Sequence, residues 1–294
     1  MSTSVSKTHS RYATWSPRHE QGWRGRARHI ALDLLSAGNQ TNWRGPEKPP
    51  HVQFLYIHHV FCDEENTLRQ LLSSLSKDYT FLSHSDGVRQ VKEGQMETPA
   101  LCFSSDDGFL NNLTAAHIFS EFGISACFFL NPDTIGMTNP NSIQQFCRSR
   151  LNARPVDFLN WDQVETLQKM GHEVGSHSLS HLNLAELTAQ QVQDDLGQSK
   201  SMLEQHCGPV NHFAYPYGRW SDFNQAAMKA CMAVGHTSCA TAERGCHANT
   251  HPLDLSQNLL FRDQVILGWP ERHIRYFMKR NLRRQPISTN QLAP

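Results

Sequence analysis

From Val52 onward, short apolar runs alternate with longer stretches whose apolar residues recur at helical spacing. The runs that predict strands cover residues 52–58, 100–104, 125–130, 173–176, 212–215, 236–240 and 260–267. The stretches that predict helices cover residues 64–76, 111–122, 161–170, 188–206, 221–233 and 271–281. Such alternation is typical of a parallel sheet covered by helices. We therefore predict an α/β fold, a distorted parallel β/α barrel of seven or eight strands, with a doubly wound open sheet as the alternative.

The first 49 residues differ in pattern from the rest of the chain. They are rich in Arg, Ser, Gly and Trp, and a Pro-Pro pair, which favours an extended linker, follows them. We predict a polar N-terminal extension over residues 1–49 and one catalytic domain over residues 50–294. Arg24, Arg26 and Arg28 of the extension could contact an anionic surface, although a solvated tail is the favoured interpretation.

Charge and hydropathy exclude two classes of protein. The 294 residues include 27 Lys+Arg and 27 Asp+Glu, and this balance argues against a nucleic-acid partner, which requires a clustered basic excess. No apolar run approaches the length of about 18 residues that a transmembrane helix needs. The N-terminus also lacks the apolar core of a secretory signal, so we predict a cytoplasmic location, where the eight cysteines are thiols.

Two adjacent aspartates follow the apolar run at residues 100–104. Asp106 and Asp107 directly precede Gly108, which lets the backbone turn tightly. Functional groups of barrel folds lie at the carboxyl ends of the strands, so this pair is a candidate site. An Asp-Asp-Gly turn at the surface is the other interpretation.

Two histidines follow the predicted strand at residues 173–176. His177 and His181 are four residues apart, a spacing that places two side chains on one face of a helical turn, about 5–6 Å apart between their Cβ atoms. Two imidazoles and one carboxylate can bind a divalent metal ion and leave coordination positions open. A chance pair is the alternative, because the chain contains 17 histidines.

A third candidate segment lies where the run at residues 212–215 leads into Pro216, Tyr217 and Gly218. A turn of this composition can present a backbone N–H to a reacting oxygen. A structural turn is the simpler interpretation when the segment is taken alone.

In chain order, the Asp-Asp-Gly, Ser-His-x-x-x-His and Tyr-Pro-Tyr-Gly segments resemble the polysaccharide deacetylase family, which includes chitooligosaccharide-deacetylase-like carbohydrate esterases. The similarity covers about residues 50–285 and includes the opening segment at residues 54–59. It implies a distorted β/α barrel and an N-acetylated saccharide as the substrate. It also implies a divalent metal ion, with zinc as the first choice and cobalt, manganese or iron(II) as alternatives.

The resemblance also implies roles for individual residues. Asp107, His177 and His181 would bind the metal, and Asp106 would be the general base that takes a proton from the attacking water. The backbone N–H of Tyr217 would stabilise the oxyanion of the tetrahedral intermediate. The products would be acetate and a free amine.

The chain departs from the family pattern at two places. An arginine often stands two residues before the proline of the third motif, where this sequence has Ala214. Arg262 is our candidate to hold the catalytic carboxylate, although an ordinary surface ion pair with Asp263 is the alternative. The family also uses a late histidine as the general acid, and Gln264 stands where it is expected. Three other histidines are candidates for that role: His236, His247 and His251.

The leading hypothesis is a metal-dependent hydrolase that acts on carbon–nitrogen bonds other than peptide bonds. It would remove N-acetyl groups from an amino-sugar-containing glycan or glycan precursor. One alternative is a catalytically impaired, glycan-binding pseudoenzyme of the same fold, and another is a hydrolase of a different non-peptide C–N bond. An iron(II) oxygenase with the same three ligands is disfavoured by the alternation of strands and helices.

Overall fold

The computed structural model describes residues 11–12, 22–40, 49–248, 258–282 and 292. The strands are β1 (His51–Ile57), β2 (Thr80–Phe81), β3 (Pro99–Ser105), β4 (Cys127–Leu130), β5 (Glu173–Ser176), β6 (His212–Ala214), β7 (Ser238–Ala240), β8 (His247–Ala248), β9 (Leu259–Leu260) and β10 (Arg262–Gln264). The helices are α1 (Trp23–Gln40), α2 (Glu65–Leu75), α3 (His84–Glu93), α4 (Asn112–Glu121), α5 (Pro140–Ser149), α6 (Trp161–Lys169), α7 (Ala189–Cys207), α8 (Gln225–Ala233) and α9 (Glu271–Leu282). Short 3-10 helices lie at Pro132–Thr134, Leu184–Glu186 and Trp220–Asp222.

Eight of these strands form one curled parallel sheet in the order β10-β1-β3-β4-β5-β6-β7-β9. β2 lies beside β3, and β8 pairs with β1 in the antiparallel direction. The two ends of the order, β9 and β10, are separated in the chain by Phe261 alone, so the sheet curls back toward its own beginning. The predicted distorted β/α barrel is confirmed.

Side chains of the sheet alternate between two apolar layers. Phe54 of β1 is in register with Cys102 of β3, and both belong to the same buried cluster as Phe129. The next pair in the register, Leu55 and Phe103, belongs to the layer that packs against the surrounding helices. All seven residues of β1 are buried, as expected for a parallel strand that is covered on both faces.

Some elements differ from the sequence prediction. The predicted strand at residues 260–267 is two short strands, because the chain leaves the sheet at Phe261 to join its opposite ends. Helices α3 and α5 are absent from the prediction, since each has few apolar positions. Their N-caps, Ser83 and Asn139, carry the usual signal of a helix start.

Part of the predicted N-terminal extension packs against the barrel. Helix α1 lies on α9, where Arg272 donates a hydrogen bond of 2.7 Å to Asp33 and His273 Nε2 lies 2.6 Å from the same carboxylate oxygen. The guanidinium of Arg28 lies 4.9 Å from the centroid of the Trp269 ring. A solvated tail is therefore wrong for the helical part of the extension, whereas its boundary with the catalytic domain stays a prediction.

The sequence predicts no transmembrane helix. Within the described part of the chain, the structure contains no helix with the length and apolar content needed to span a bilayer. The cytoplasmic location stays a prediction.

Candidate active site

The carboxyl ends of the parallel strands meet at one edge of the barrel, and most of the predicted site residues lie there. Asp106 and Asp107 follow β3, His177 follows β5 and Tyr217 follows β6, whereas Arg262 is the first residue of β10 and reaches Asp106 with its long side chain. All six predicted site residues line one open cleft of about 1170 Å³. The fold therefore brings together segments that are far apart in the sequence.

Asp107, His177 and His181 form a compact group of possible metal ligands. Asp107 Oδ1 lies 3.4 Å from His177 Nε2 and 3.5 Å from His181 Nε2. One potential ligand atom of each residue lies within 4.8 Å of the other two, and all three residues are buried. Among the described residues this is the one such group of His, Cys, Asp and Glu. A carboxylate with two imidazoles suits zinc and related divalent ions.

The two histidines reach this position without the helical turn that their spacing suggested. Residues 177–181 form an irregular loop in which Ser178 (φ 66°) and His181 (φ 55°) have left-handed backbone conformations. The side-chain amide of Asn131 donates to the carbonyl oxygens of His177 and Ser178, which holds the loop in place. The predicted helical geometry is wrong, yet the two imidazole centroids are only 5.1 Å apart.

Hydrogen bonding around the group leaves ligand atoms available. His177 Nδ1 lies 2.7 Å from the carbonyl oxygen of Ala214, which selects the tautomer whose Nε2 is free to bind a metal. Asp107 Oδ1 is buried and forms no hydrogen bond with the described residues, because its histidine contacts lack the required geometry. Buried polar atoms normally have a partner, so an orphaned carboxylate oxygen between two imidazoles fits a cation site.

Burial and charge shift the pKa values of this group. Burial raises the pKa of Asp107, but the close approach of His177 and the charges of the neighbouring histidines outweigh it, so the pKa lies well below its usual value. Burial lowers the pKa of His177, whereas its contacts with Asp107 and Asp106 raise it overall. Burial lowers the pKa of His181 to about 4. Asp107 and His181 are thus in their ligand forms at neutral pH.

Asp106 is held by Arg262 through a two-point ion pair. The two Nη atoms of the arginine donate to the two carboxylate oxygens, each at 2.8 Å, and its Nε donates to the carbonyl oxygen of Thr241 at 2.7 Å. The guanidinium also lies 4.5 Å from the centroid of the Tyr56 ring. Burial raises the pKa of Asp106, but the charge of Arg262 outweighs it and the pKa is lowered, so the carboxylate is ionised. Arg262 is buried against Asp106 and forms no surface ion pair with Asp263.

Tyr217 lies at the rim of the cleft in a tight turn. Its backbone φ is 63°, and a Cβ on the following Gly218 would lie only 2.5 Å from the backbone nitrogen of Ala242. The Tyr217 hydroxyl donates to the carbonyl oxygen of Arg150 at 2.8 Å, and its ring packs edge-on against His181 with centroids 4.7 Å apart. These contacts fix the turn beside the metal-ligand group, and the oxyanion role of its N–H stays a prediction.

The general-acid candidates His236 and His247 do not line the cleft. His236 precedes β7 and stacks on Phe213, while His247 pairs in register with Val52 near the start of β1 and accepts the N–H of Phe261 at 3.1 Å. Both predictions are wrong, because these residues lie at the amino ends of strands and the site lies at the carboxyl ends. The third candidate, His251, lies outside the described residues.

His58 is a site residue that the sequence reasoning did not select. It directly follows β1, lines the cleft with its side chain 32% exposed, and places Nε2 4.0 Å from Asp107 Oδ2. The signal was present in the sequence, since the first predicted strand, residues 52–58, ends in His58 and is followed by His59. In the register of these two strands Ile57 lies opposite Ser105, so His58 follows β1 at the position where Asp106 follows β3.

Comparison with known sequences agrees with this fold and site. The family model described as polysaccharide deacetylase matches residues 93–235. YxkH of Bacillus subtilis, which is named as a polysaccharide deacetylase, is 23% identical over 215 residues, or 69% of this chain and 68% of that protein. The chitooligosaccharide deacetylase of Azorhizobium caulinodans is 38% identical over 53 residues, or 17% of this chain and 25% of that protein.

Solved structures show the same fold at low sequence identity. The deacetylase PplD of Streptococcus pyogenes, solved in complex with acetate, has a TM-score of 0.59 and 16% identity, and the match covers 78% of this chain and 99% of that chain. IcaB from Ammonifex degensii has a TM-score of 0.60 and 16% identity, with 78% and 98% covered. Together with the family-model and sequence matches, these findings support assignment of the chain to the polysaccharide deacetylase family. The resemblance inferred from its motifs is confirmed.

Proposed function

We propose that this protein is a metal-dependent hydrolase that removes N-acetyl groups from an amino-sugar-containing glycan or glycan precursor. The proposal rests on one observation: two adjacent carboxylates in one cleft have different contacts. Asp106 is ionised and held by Arg262, whereas Asp107 lies against His177 and His181. One carboxylate is thus prepared to accept a proton, and the other to bind a cation.

Asp107, His177 and His181 would hold the divalent ion, for which zinc is our proposal and cobalt, manganese or iron(II) are compatible. When bound, such an ion acts as a Lewis acid on the acetyl carbonyl group and on water. The orphaned Oδ1 of Asp107 and the fixed tautomer of His177 support this assignment.

The remaining residues of the cleft would move protons and stabilise charge. Asp106 would take a proton from the attacking water, and its ion pair with Arg262 keeps it ionised and oriented. The backbone N–H of Tyr217 would donate to the developing oxyanion. His58 would then protonate the leaving nitrogen, because an amide nitrogen is a poor leaving group until it is protonated.

The proposal is tested by measuring acetate release from oligosaccharides of N-acetylglucosamine with metal-loaded protein. Asp106→Asn is expected to lower the rate by about 10²–10⁴-fold, the usual contribution of a general base. Asp162→Asn, at an exposed aspartate of α6, is the matched control and is expected to keep the wild-type rate. The proposal fails if no N-acetylated saccharide yields acetate, and glycan binding without release would favour the non-catalytic alternative.

A second experiment separates the two proton-transfer roles. The leaving group of 4-nitrophenyl acetate departs without protonation. His58→Gln is therefore expected to lower amide hydrolysis by about 10²–10⁴-fold but to affect hydrolysis of this ester much less. Asp106→Asn is expected to lower both activities. His117→Gln, at an exposed histidine of α4, serves as the matched control. Equal losses of amide and ester hydrolysis in His58→Gln would contradict the general-acid assignment.

A further inference from the structure

Helix α1 exposes an apolar surface to solvent. Four of the six exposed large hydrophobic side chains among the described residues lie on this one helix: Trp23, Ile30, Leu34 and Leu35. Their exposed fractions are 75%, 62%, 73% and 52%. Single exposed apolar residues are common on protein surfaces, but several of them on one helix indicate an interaction site.

The face of α1 that packs against the barrel is partly polar. Asp33 is bound by Arg272 and His273 of α9, and Arg28 lies over Trp269. A surface helix of a globular protein normally packs its apolar face inward and exposes its charged residues. In α1 only Leu32 among the large apolar side chains is buried, and the other four are exposed, so packing on the barrel does not explain them.

Arginines border the apolar surface. With about 100° of rotation per residue, Trp23, Ile30 and Leu34 lie within an arc of about 40° on the helix. Arg24 and Arg26 lie on opposite sides of that arc, and both are exposed. The one carboxylate of α1 is that of Asp33; its side chain is 44% exposed, but it is bound by Arg272 and His273 of α9 and so does not pair with Arg24 or Arg26.

We propose that this face of α1 docks on a bilayer surface that contains anionic lipids. Trp23, Ile30 and Leu34 would enter the region between headgroups and acyl chains, while Arg24 and Arg26 contact lipid phosphates. An apolar stripe bordered by arginines matches the chemistry of that boundary. A second copy of the chain is a poorer fit, because a two-fold contact would bring uncompensated arginines of both copies together.

The proposal is tested by sedimentation of the full chain with vesicles of phosphatidylglycerol and phosphatidylcholine, compared with vesicles of phosphatidylcholine alone. The wild type is expected to bind the anionic vesicles more tightly, and added salt is expected to weaken that binding. Ile30→Gln combined with Leu34→Gln is expected to lower the partition coefficient by at least about tenfold. Arg24→Gln and Arg26→Gln are each expected to lower binding to anionic vesicles by about fivefold.

Met202→Gln is the matched control, since Met202 is an exposed apolar residue on α7. Circular dichroism compares the folding of all variants, and Trp23→Ala supplies a second apolar variant if the double substitution perturbs α1. Failure of the wild type to sediment with anionic vesicles would overturn the proposal. So would a dimer detected by light scattering that the double substitution dissociates. Vesicle binding requires no catalysis, so this result is independent of the proposed hydrolase activity.

Discussion

Replacing Arg262 with glutamine is expected to destabilise the protein much more than loss of a surface ion pair. The side chains of Arg262 and Asp106 are 1% and 4% exposed, and the arginine supplies two charge-assisted hydrogen bonds of 2.8 Å. Without the guanidinium group, the Asp106 carboxylate stays buried and has lost its positively charged partner. Removing one partner of a buried ion pair costs about 3–5 kcal/mol, compared with about 0–1 kcal/mol for an exposed pair.

The chain offers an exposed two-point ion pair as a control. Arg69 donates two hydrogen bonds of 2.8 Å to Glu121 and one of 3.2 Å to Glu65, but the side chains of Arg69 and Glu121 are 35% and 45% exposed. Arg69→Gln is therefore expected to lower the free energy of unfolding by no more than about 1 kcal/mol. Asp106→Asn added to Arg262→Gln removes both buried charges. We expect this double variant to regain about 2 kcal/mol relative to Arg262→Gln alone.

Unfolding in urea, followed by circular dichroism and tryptophan fluorescence, measures these differences. All variants are treated with chelator, so that altered metal binding does not contribute to the measured stability. The reasoning is refuted if Arg262→Gln and Arg69→Gln differ by less than about 0.5 kcal/mol. It is also refuted if the double variant is no more stable than Arg262→Gln.

Three further substitutions test the stability of the fold. Burial lowers the pKa of His247 to about 4, so protonation of the unfolded chain removes about 1.4 kcal/mol of stability per pH unit below about pH 6.5. The free energy of unfolding is measured in urea at about pH 6 and about pH 5. Between these pH values His247→Gln is expected to lose less stability than the wild type, and equal losses would contradict this cause. Gly218→Ala would place a Cβ 2.4 Å from that of Ala242 at a φ of +73°. We expect a loss of at least about 2 kcal/mol in thermal unfolding together with slower acetate release, and wild-type behaviour would show that the turn relaxes. Asn160→Ala removes the capping box with Gln163, and a loss of about 1 kcal/mol in urea unfolding is expected; an unchanged midpoint would refute the contribution of this cap.

The barrel and the position of its site could be predicted because both depend on local pattern and one general rule. Strand and helix periods are properties of neighbouring residues, and parallel strands place their carboxyl ends at the same edge. Asp106, Asp107 and His177 each follow a strand, so their convergence was predictable before the structure. Naming His236 and His247 among the candidate acids failed because it relied on proximity in sequence and not on the end of the strand at which each residue stands.

The amino-acid pattern alone determined the α/β class, the metal-ligand candidates and the resemblance to the polysaccharide deacetylase family. Tertiary structure alone decided which distant groups touch. Arg262 reaches Asp106, 156 positions away, because β10 pairs with β1, which in turn pairs with β3. The left-handed loop between His177 and His181 depends on Asn131 from another strand end. The outward apolar face of α1 likewise follows from its docking on α9, since helix periodicity defines an apolar face but not the direction in which it points.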